Sequence, residues 1–324
     1  MAERTRRCTA ALVLAALLGA SAVFAQGYPA KPIRLIVPYP PGGIDQFARV
    51  LMPKAAEALG QPIVIDNRGG ANGFIGAELL TRTPADGYSL GFMTSATMVG
   101  GMVLAANPPF DTVRDFTPVI RVLETLLVMT VSEAVPVNSV PELIDFAKRN
   151  PGKLSFGSSG VGSAFHLNGE KLKLATGIDM VHVPYKGSGP MATDILAGRV
   201  EVGFPGLNNV KAYLGAKKFK ILAVMGSKRS AEIPDVPTIG EILPGYTAQT
   251  SWTAIFGPAK MPPAVVARLN GTFAKAADAP DFRKYLADNG AVGVAGAPEE
   301  LAETLKADLK AVGDLVQRLR IPKE

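Results

Sequence analysis

Short apolar runs alternate with amphipathic stretches along most of the chain, which is the pattern of β-strands that alternate with α-helices. The apolar runs predict strands at Ile33–Val37, Pro62–Ile65, Tyr88–Met93, Leu154–Gly157, Met180–Val183, Val200–Phe204, Phe219–Met225 and Ser251–Phe256. The amphipathic stretches predict helices at Asp45–Leu59, Ile75–Arg82, Pro141–Arg149, Ala164–Thr176, Pro190–Ala197, Leu207–Leu214, Pro262–Ala277, Asp281–Asn289 and Pro298–Leu319. Such an alternation builds mainly parallel sheets flanked by helices, so we predict an α/β fold.

The alternation divides into two series, which predicts two lobes rather than one. We expect the chain to enter the second lobe near Leu126–Val131 and to return near Ala248–Thr253. The predicted first lobe then comprises residues 26–127 and 253–324, and the second lobe comprises residues 128–252. The helical tail is expected to pack back on the first lobe. Two crossings make a two-stranded hinge, and a hinge between two lobes makes a cleft that can close.

The N-terminal 25 residues have the pattern of a secretory signal peptide. Arg4, Arg6 and Arg7 precede an apolar run, Ala10–Ala20, which is short for a membrane span. Small residues around Ala25 then suit a cleavage site. The alternatives are a retained membrane anchor or an ordinary N-terminal helix. With export, the mature chain loses its one cysteine and has neither disulfides nor thiolate chemistry.

The charge balance is mildly basic. Residues 26–324 contain 31 Lys and Arg against 27 Asp and Glu, a net charge of +4. This excess helps to attract an anionic ligand, although physiological salt weakens the attraction. Nucleic acid is not expected as a partner, because the basic residues are dispersed and aromatic residues are few.

A first loop, Pro38–Asp45, follows the first predicted strand and contains three prolines and two glycines. The prolines stiffen the loop, and the glycines allow positive φ and close approach of a ligand to the main chain. A glycine turn that leads into a helix directs free N–H groups at one point, where an anion is favoured. Asp45 either caps that helix, which we favour, or accepts a hydrogen bond from the ligand.

A second loop, Gly157–Ser163, also joins a strand to a helix. Its glycine spacing resembles a phosphate-binding loop, but Ser163 stands where that motif requires lysine, so a nucleotide is not indicated. The loop also lacks the final glycine of a GxSxG nucleophile motif, and no other nucleophile is evident. Glycine and serine before a helix predict a second anion cradle, with hydroxyl groups added.

Other candidate residues surround these loops. A hydroxyl turn, Thr94–Thr97, follows a strand at the sheet edge where open α/β sheets bind ligands. His166 is expected either to contact the ligand or to brace the second loop, and His182 is expected in the core. Two distant histidines without cysteine make a poor zinc site. Tyr185 begins a third loop, in which Lys186 is either a cleft charge or a surface lysine.

Several motifs occur together in one known family. They are the first loop, Asp66–Arg68 with the glycines after it, Pro84–Tyr88, Gly157–His166 and Val183–Gly187. The chain resembles the Bug-type extracytoplasmic solute receptors, which are the periplasmic binding components of tripartite tricarboxylate transporters. The resemblance covers nearly all of the chain after the predicted signal peptide.

The resemblance implies a type II-like periplasmic binding protein fold with the ligand between two lobes. It implies that main-chain N–H groups of the first loop and ordered water hold a ligand carboxylate, and that the hydroxyl turn and second loop complete the pocket. With the third loop included, the predicted ligand-binding residues are Tyr39, Pro40, Pro41, Gly42, Gly43, Ile44, Asp45, Thr94, Ser95, Ala96, Thr97, Ser158, Ser159, Gly160, Gly162, Ser163, His166, Tyr185 and Lys186.

The expected function is therefore that of a periplasmic receptor, not an enzyme. Its expected partners are a small carboxylate and the membrane components of a tripartite tricarboxylate transporter, with no cofactor and no metal, and we expect a monomer. A sensory receptor for the same ligands is the first alternative. An enzyme that acts on a small carboxylic acid is the second, but the sequence offers no nucleophile for it.

Overall fold

The computed structural model of the protein describes residues 27–185 and 187–319, together with Ile321 and Lys323. The predicted signal peptide, residues 1–25, and Lys186 lie outside the described residues. Within the described part of the chain, no helix combines the length and the apolar character that a membrane crossing requires.

The described elements follow the predicted order closely. The strands are β1 (Ile33–Val37), β2 (Ile63–Asn67), β3 (Ser89–Thr94), β4 (Phe116–Thr125), β5 (Val128–Ser132), β6 (Leu154–Ser158), β7 (Met180–Pro184), β8 (Val202–Gly203), β9 (Phe219–Val224), β10 (Ser251–Pro258) and β11 (Ala291–Gly293). The helices are α1 (Ile44–Leu59), α2 (Phe74–Thr81), α3 (Met102–Leu104), α4 (Val140–Arg149), α5 (Ala164–Thr176), α6 (Ser188–Leu196), α7 (Leu207–Val210), α8 (Ile239–Ile242), α9 (Pro263–Ala277), α10 (Pro280–Asp288) and α11 (Pro298–Leu319).

The strands form two separate sheets. The first sheet has the order β11-β4-β10-β3-β1-β2, and the second has the order β7-β6-β8-β5-β9. In the first sheet β1 is parallel to β2 and β3, whereas β10 is antiparallel to β3 and β4, and β11 is antiparallel to β4. In the second sheet β6 is parallel to β7 and β8, whereas β5 is antiparallel to β8 and β9.

Both sheets are therefore mixed, and the prediction of mainly parallel sheets is wrong. The error comes largely from strands that carry the chain between the sheets. Strand β4 was not predicted, because Pro118 and Arg121 interrupt its apolar pattern. Pro118 has no N–H to donate to the ladder, and the register with β10 shifts beside its partner Phe256.

Four other segments differ from the sequence prediction. The strand expected at Val200–Phe204 is only Val202–Gly203, and the helix expected at Leu207–Leu214 is one turn followed by a 3₁₀ turn at Lys211–Tyr213. The crossing expected at Leu126–Val131 is shorter, because β5 already begins at Val128. The segment predicted as a hydroxyl turn is partly helical, because a π-helical segment, Ala96–Gly101, begins within it.

The two sheets present strand ends at edges that face each other. Thr253 of β10 pairs with Thr94, and Ser251 pairs with Thr125, so the carboxyl ends of β3 and β4 lie at one edge. The chain leaves that edge after β4 and enters β5 at Val128, beside the carboxyl ends of β8 and β9. It returns to the first sheet before β10. These two crossings form the hinge between the lobes.

The lobes have separate apolar cores and a shared one. The first core surrounds buried residues such as Leu35 and Phe273, and the second surrounds Met129 and Ile195. The third core contains residues of the first sheet and of α11, and it also contains Leu167 of α5 from the second lobe. The lobes are therefore in contact beside α5 as well as at the hinge.

The C-terminal helix α11 packs against β4 and β10 of the first sheet. Leu305 and Val312 belong to the same apolar cluster as Trp252 and Phe256. The indole N–H of the buried Trp252 donates to Asp308 Oδ2 at 2.7 Å. The tail thus covers the strands through which the chain returns to the first lobe.

Candidate functional site

The first loop turns through two glycines whose backbone conformations favour glycine. The φ angle is 102° at Gly42 and 53° at Gly43, and α1 begins at Ile44. The Asp45 amide donates to the Gly42 carbonyl at 3.1 Å. Within the described residues, the amides of Gly43 and Ile44 have no backbone acceptor. The loop therefore presents two free N–H groups at the start of a helix, while Pro40 and Pro41 are exposed beside them.

Asp45 is buried, and it organises the first loop through its side chain. The carboxylate accepts hydrogen bonds from Arg49 Nε at 2.7 Å and from Asn67 Nδ2 at 2.9 Å. The prediction that Asp45 caps α1 is wrong: it is the second residue of the helix, and the helix has no side-chain cap. Its proposed contact with the ligand stays a prediction.

Asn67 is a site residue that the sequence analysis missed. It ends β2 opposite Val37 of β1, and its Nδ2 donates to the Tyr39 carbonyl at 2.9 Å as well as to Asp45. Burial alone would raise the pKa of Asp45, but the bonds from Arg49 and Asn67 outweigh it and hold that pKa below its usual value. The available signal was the position of Asn67 at the carboxyl end of the strand beside β1.

Replacing Asp45 by asparagine should lower the free energy of unfolding by about 1–3 kcal/mol at pH 7, because the Arg49 guanidinium and the Asn67 amide lose a buried, charged acceptor. The carboxylate has a lowered pKa in the folded protein, so its stabilisation is present above the unfolded pKa and is lost as the pH falls. The difference between wild type and D45N should therefore shrink below about pH 4. Urea unfolding of both proteins at pH 7 and below about pH 4 measures this difference in the free energy of unfolding.

Asp66→Asn provides the matched control for this substitution. Asp66 pairs with Arg34 and Arg68 and is more exposed, with a side-chain exposure of 23% against 2% for Asp45. Its loss should change stability by at most about 1 kcal/mol. Equal effects of D45N and D66N at pH 7 would contradict the organising role of Asp45.

The Tyr39 hydroxyl group joins the first loop to the hydroxyl turn. It lies 2.8 Å from Thr94 Oγ1 and 2.8 Å from Thr97 Oγ1, and Thr97 Oγ1 donates to the Asn72 carbonyl at 2.9 Å. Burial raises the pKa of Tyr39 in spite of these bonds. Ser95 is buried beside them, and Ala96 is half-buried. These hydroxyl groups therefore fix the loop against β3.

The second loop is held by bonds within itself. Ser163 caps α5 by accepting from the His166 amide at 3.3 Å, and its Oγ donates to the Gly160 carbonyl at 2.7 Å. The Gly160 amide donates to Ser158 Oγ at 3.2 Å. The Gly162 amide donates to His166 Nδ1 at 3.2 Å. The glycine and serine groups that we predicted as ligand contacts therefore shape this loop.

The free donors of the second loop lie between and after these residues. Within the described residues, the amides of Val161, Ala164 and Phe165 have no backbone acceptor. Ala164 and Phe165 are the first two residues of α5, where a helix leaves N–H groups unpaired. Ser159 is half-buried at the start of the loop. The arrangement matches the first loop, with free amides at a helix start.

The two histidines lie together beneath the second loop. The His182 Nε2 atom is 2.7 Å from Ser158 Oγ, so His182 is not simply a residue of the apolar core as we had expected. In the parallel pair β6–β7, His182 lies opposite Phe156, two residues before Ser158, which places the three side chains on one face. His166 braces the loop through Gly162, and its contact with a ligand stays a prediction.

The third loop contributes less to the candidate site than the first and second loops do. The Tyr185 hydroxyl donates to Asp194 Oδ2 at 2.8 Å, and burial together with this carboxylate raises the pKa of Tyr185 to about 12. The Tyr185 amide donates to the Ser158 carbonyl at 2.9 Å, which ties the third loop to the second. Lys186, the remaining predicted site residue, lies outside the described residues.

The loops of the two lobes meet at one junction. A Cβ atom added to Gly100 would lie 1.8 Å from the Gly162 carbonyl oxygen, so the two backbones are in direct contact. Val161 and Leu167 pack in the same apolar cluster as Met98, two residues before Gly100. Because Thr97 bonds the Tyr39 hydroxyl, the first loop, the hydroxyl turn and the second loop form one continuous set of contacts.

The family comparison decides what kind of protein this fold belongs to. The model of the family described as "Tripartite tricarboxylate transporter family receptor" matches residues 47–321. The chain belongs to this family. The resemblance found in the motifs is thereby confirmed, and the receptor is also 35% identical to the protein BugT of Bordetella pertussis over 284 residues, which cover 87% of this chain and 87% of BugT.

Solved structures confirm the two-lobed α/β fold of the receptor. The R. palustris protein Rpa4515, solved with adipate, is 33% identical with a TM-score of 0.80, and the match covers 90% of this chain and 97% of that one. MatC (Rpa3494) from Rhodopseudomonas palustris, solved with bound malate, is 28% identical with a TM-score of 0.77, covering 89% and 100% of the two chains.

The receptor also has a cavity of about 990 Å³ on the other side of the hinge from the junction. It is lined by Thr125 and Leu126 at the first crossing, by Gly290–Val292 around β11 and by Met225–Glu232 after β9, among others. None of the predicted site residues is among the described residues that line it. Along the facing edges, the lobes touch at Gly100 and Gly162 and leave open space beyond the hinge.

Proposed function

We propose that this receptor captures a small carboxylate between its lobes, at the junction of the first and second loops, and delivers it to the membrane components of a tripartite tricarboxylate transporter. The proposed lobes are residues 26–127 with 253–324, and residues 128–252. The protein acts in the periplasm as a monomer after removal of residues 1–25. The lobes separate when the site is empty and close when a ligand contacts both.

The observation that carries this proposal is that each side of the junction has two amide groups without a backbone acceptor among the described residues. Gly43 and Ile44 belong to the first lobe, and Ala164 and Phe165 belong to the second. Each pair stands at the start of a helix of more than ten residues, where backbone N–H groups and the helix dipole favour an anion. A carboxylate needs no buried arginine in such a site.

The ligands named for two relatives suit this arrangement. Adipate and malate, bound by Rpa4515 and MatC, are both dicarboxylates. A molecule with an oxyanion at each end can contact one amide pair on each lobe, and contacts made only when the lobes are together favour closure. The proposal for this chain is therefore a small carboxylate, with dicarboxylates as the first compounds to test.

Ser158, the serine that contacts a histidine, does not support the enzyme alternative. Ser158 is fully buried, and its hydroxyl group is bonded to His182 and to the Gly160 backbone. A nucleophile must reach its substrate, and this hydroxyl group is enclosed by its own loop. The receptor function needs no such group.

A thermal-shift screen against adipate, malate and other small carboxylates tests the proposal. A ligand present at 100 times its Kd should raise the free energy of unfolding by about 2.7 kcal/mol through mass action. The melting temperature should therefore rise with ligand concentration for at least one dicarboxylate. No shift with any carboxylate would contradict the proposed ligand class.

A substitution in the cavity beyond the hinge locates the ligand. Gly226 lines that cavity, and a Cβ atom added to it would have only ordinary contacts, the nearest at 3.6 Å. Gly226→Leu should fill part of the cavity and leave the ligand-induced shift unchanged. Loss of the shift in G226L, with an unchanged melting temperature of the free protein, would place the ligand in the cavity and not at the junction.

A further inference from the structure

Two imidazole rings stack beneath the second loop. The ring centroids of His166 and His182 are 4.1 Å apart with an interplanar angle of 24°, and Phe156 stacks on His182 at 4.9 Å. His166 is on α5 and His182 is on β7, so the stack joins the helix that follows the loop to the strand beside it. His166 is only 4% exposed.

Each ring fixes one glycine of the loop. His166 accepts the Gly162 amide at its Nδ1 atom, over 3.2 Å. His182 acts through Ser158, whose Oγ atom is 2.7 Å from Nε2 and accepts the Gly160 amide over 3.2 Å. Val161 stands between the two fixed glycines, and its own amide has no backbone acceptor within the described residues.

The hydrogen bond from the Gly162 amide requires the His166 ring to be neutral. An Nδ1 atom that accepts an amide hydrogen cannot carry a proton, so His166 has its proton on Nε2. Burial, the neighbouring His182 and the Lys173 ammonium group lower the pKa of His166 to about 3. Burial and Lys173 lower the pKa of His182 to about 4. At neutral pH the stack is therefore uncharged, while Lys173 is paired with Glu170.

We propose that His166 and His182 are a pair of positioning residues that hold Gly160 and Gly162 in place, so that the Val161 amide between them is presented to the ligand. This inference rests on the proposed carboxylate site. It assigns the histidines no direct contact with the ligand. Their function is to keep the donors of the second loop fixed before binding, which reduces the entropy that binding must remove.

Substitutions with asparagine and glutamine separate the two ring positions. Asparagine places a polar atom near the Nδ1 position of histidine, and glutamine places one near the Nε2 position. His166→Asn should therefore keep the acceptor for Gly162, whereas His166→Gln should lose it. The order reverses at the second site: His182→Gln should keep the contact with Ser158, and His182→Asn should lose it.

Hydrogen exchange of individual backbone amides, measured by NMR on the ligand-free protein at pH 7, gives the first result. The Gly162 amide should exchange about tenfold faster in H166Q than in H166N, and the Gly160 amide about tenfold faster in H182N than in H182Q. A merely structural role would make both substitutions at one position equivalent. Equal exchange within each pair would overturn the proposal.

Titration with adipate and malate gives the second result. H166N and H182Q should keep wild-type affinity, and H166Q and H182N should lose about tenfold. If the exchange rates follow the expected order but affinity does not, the histidines hold the loop without positioning it for the ligand, and the inference fails. If neither acid nor any other carboxylate binds the wild type, the proposed function fails, and the exchange rates still decide whether the histidines fix the glycines.

Discussion

Replacement of Ala164 by proline should weaken carboxylate binding about 10–150-fold, because the substitution removes one of the two free amides at the start of α5. A hydrogen bond to a charged group contributes about 1.5–3 kcal/mol, which corresponds to that range of affinity. The effect should be specific to binding, because proline removes no hydrogen bond from the helix. Within the described residues, the Ala164 amide has no backbone acceptor.

The local backbone is suited to this substitution. Ala164 is the first residue of α5, a position where proline is tolerated because the N–H has no partner in the helix. The preceding residue, Ser163, has φ −67° and ψ 156°, which is the extended conformation that a residue before proline adopts. Helices α9, α10 and α11 of the same chain begin with proline.

Isothermal titration with the carboxylate found in the screen measures this effect, and Ala164→Ser is its matched control. Serine is close to alanine in size and keeps the amide, so A164S should bind like the wild type. The melting temperature of each free protein shows whether α5 is intact. Unchanged affinity in A164P, with an intact fold, would mean that the amides of α5 do not hold the ligand.

The order of elements could be predicted because it depends on local patterns. Helix α5 was predicted to the residue at Ala164–Thr176, since a capping serine precedes it and a glycine follows it. The strands that were missed or shortened depend on their neighbours. Pro118 and Arg121 interrupt the apolar pattern of β4, and the sheet tolerates them because β4 lies between two antiparallel partners. Strand direction is likewise a property of the pairing.

The candidate site was predictable in position but not in its hydrogen bonds. Glycines before a helix indicate free amides in general, and they do not indicate which amides remain free. In the second loop Ser158 and His166 accept the amides of Gly160 and Gly162, while the Val161 amide has no backbone acceptor in the described part of the chain. These bonds depend on β7 lying beside β6, which brings His182 to Ser158 and cannot be read from spacing along the chain.

Asp45 shows the same limit in the first loop. Aspartate at the start of a predicted helix suits a cap, and local pattern favours that interpretation. The side chain instead pairs with Arg49 one turn later and with Asn67 on the neighbouring strand. The contact with Asn67, which is distant in sequence, therefore determines the role of Asp45, whereas the local pattern indicated a helix cap.

Gly100→Ala should lower carboxylate affinity about 5–150-fold while it leaves the fold of each lobe intact. The added Cβ atom would lie 1.8 Å from the Gly162 carbonyl oxygen of the other lobe, and its nearest contacts are all with Gly162. Overpacking of this kind costs about 1–3 kcal/mol, and here that cost falls on the state in which the lobes touch. Affinity decreases by the same free energy, because binding requires that state.

The backbone at Gly100 makes this substitution a clean test of lobe contact. Gly100 lies in the π-helical segment without a positive φ, so alanine is not strained there, whereas Gly162 has φ 79° and would be strained by any side chain. Gly271→Ala, in α9 with no atom near the added Cβ, is the control and should bind normally.

Small-angle scattering of the free G100A protein should show an envelope at least as open as that of the wild type, and saturation with ligand should close it less readily. Wild-type affinity in G100A would mean that the two backbones need not touch when the ligand is bound. Contact at the junction would then not be required for binding.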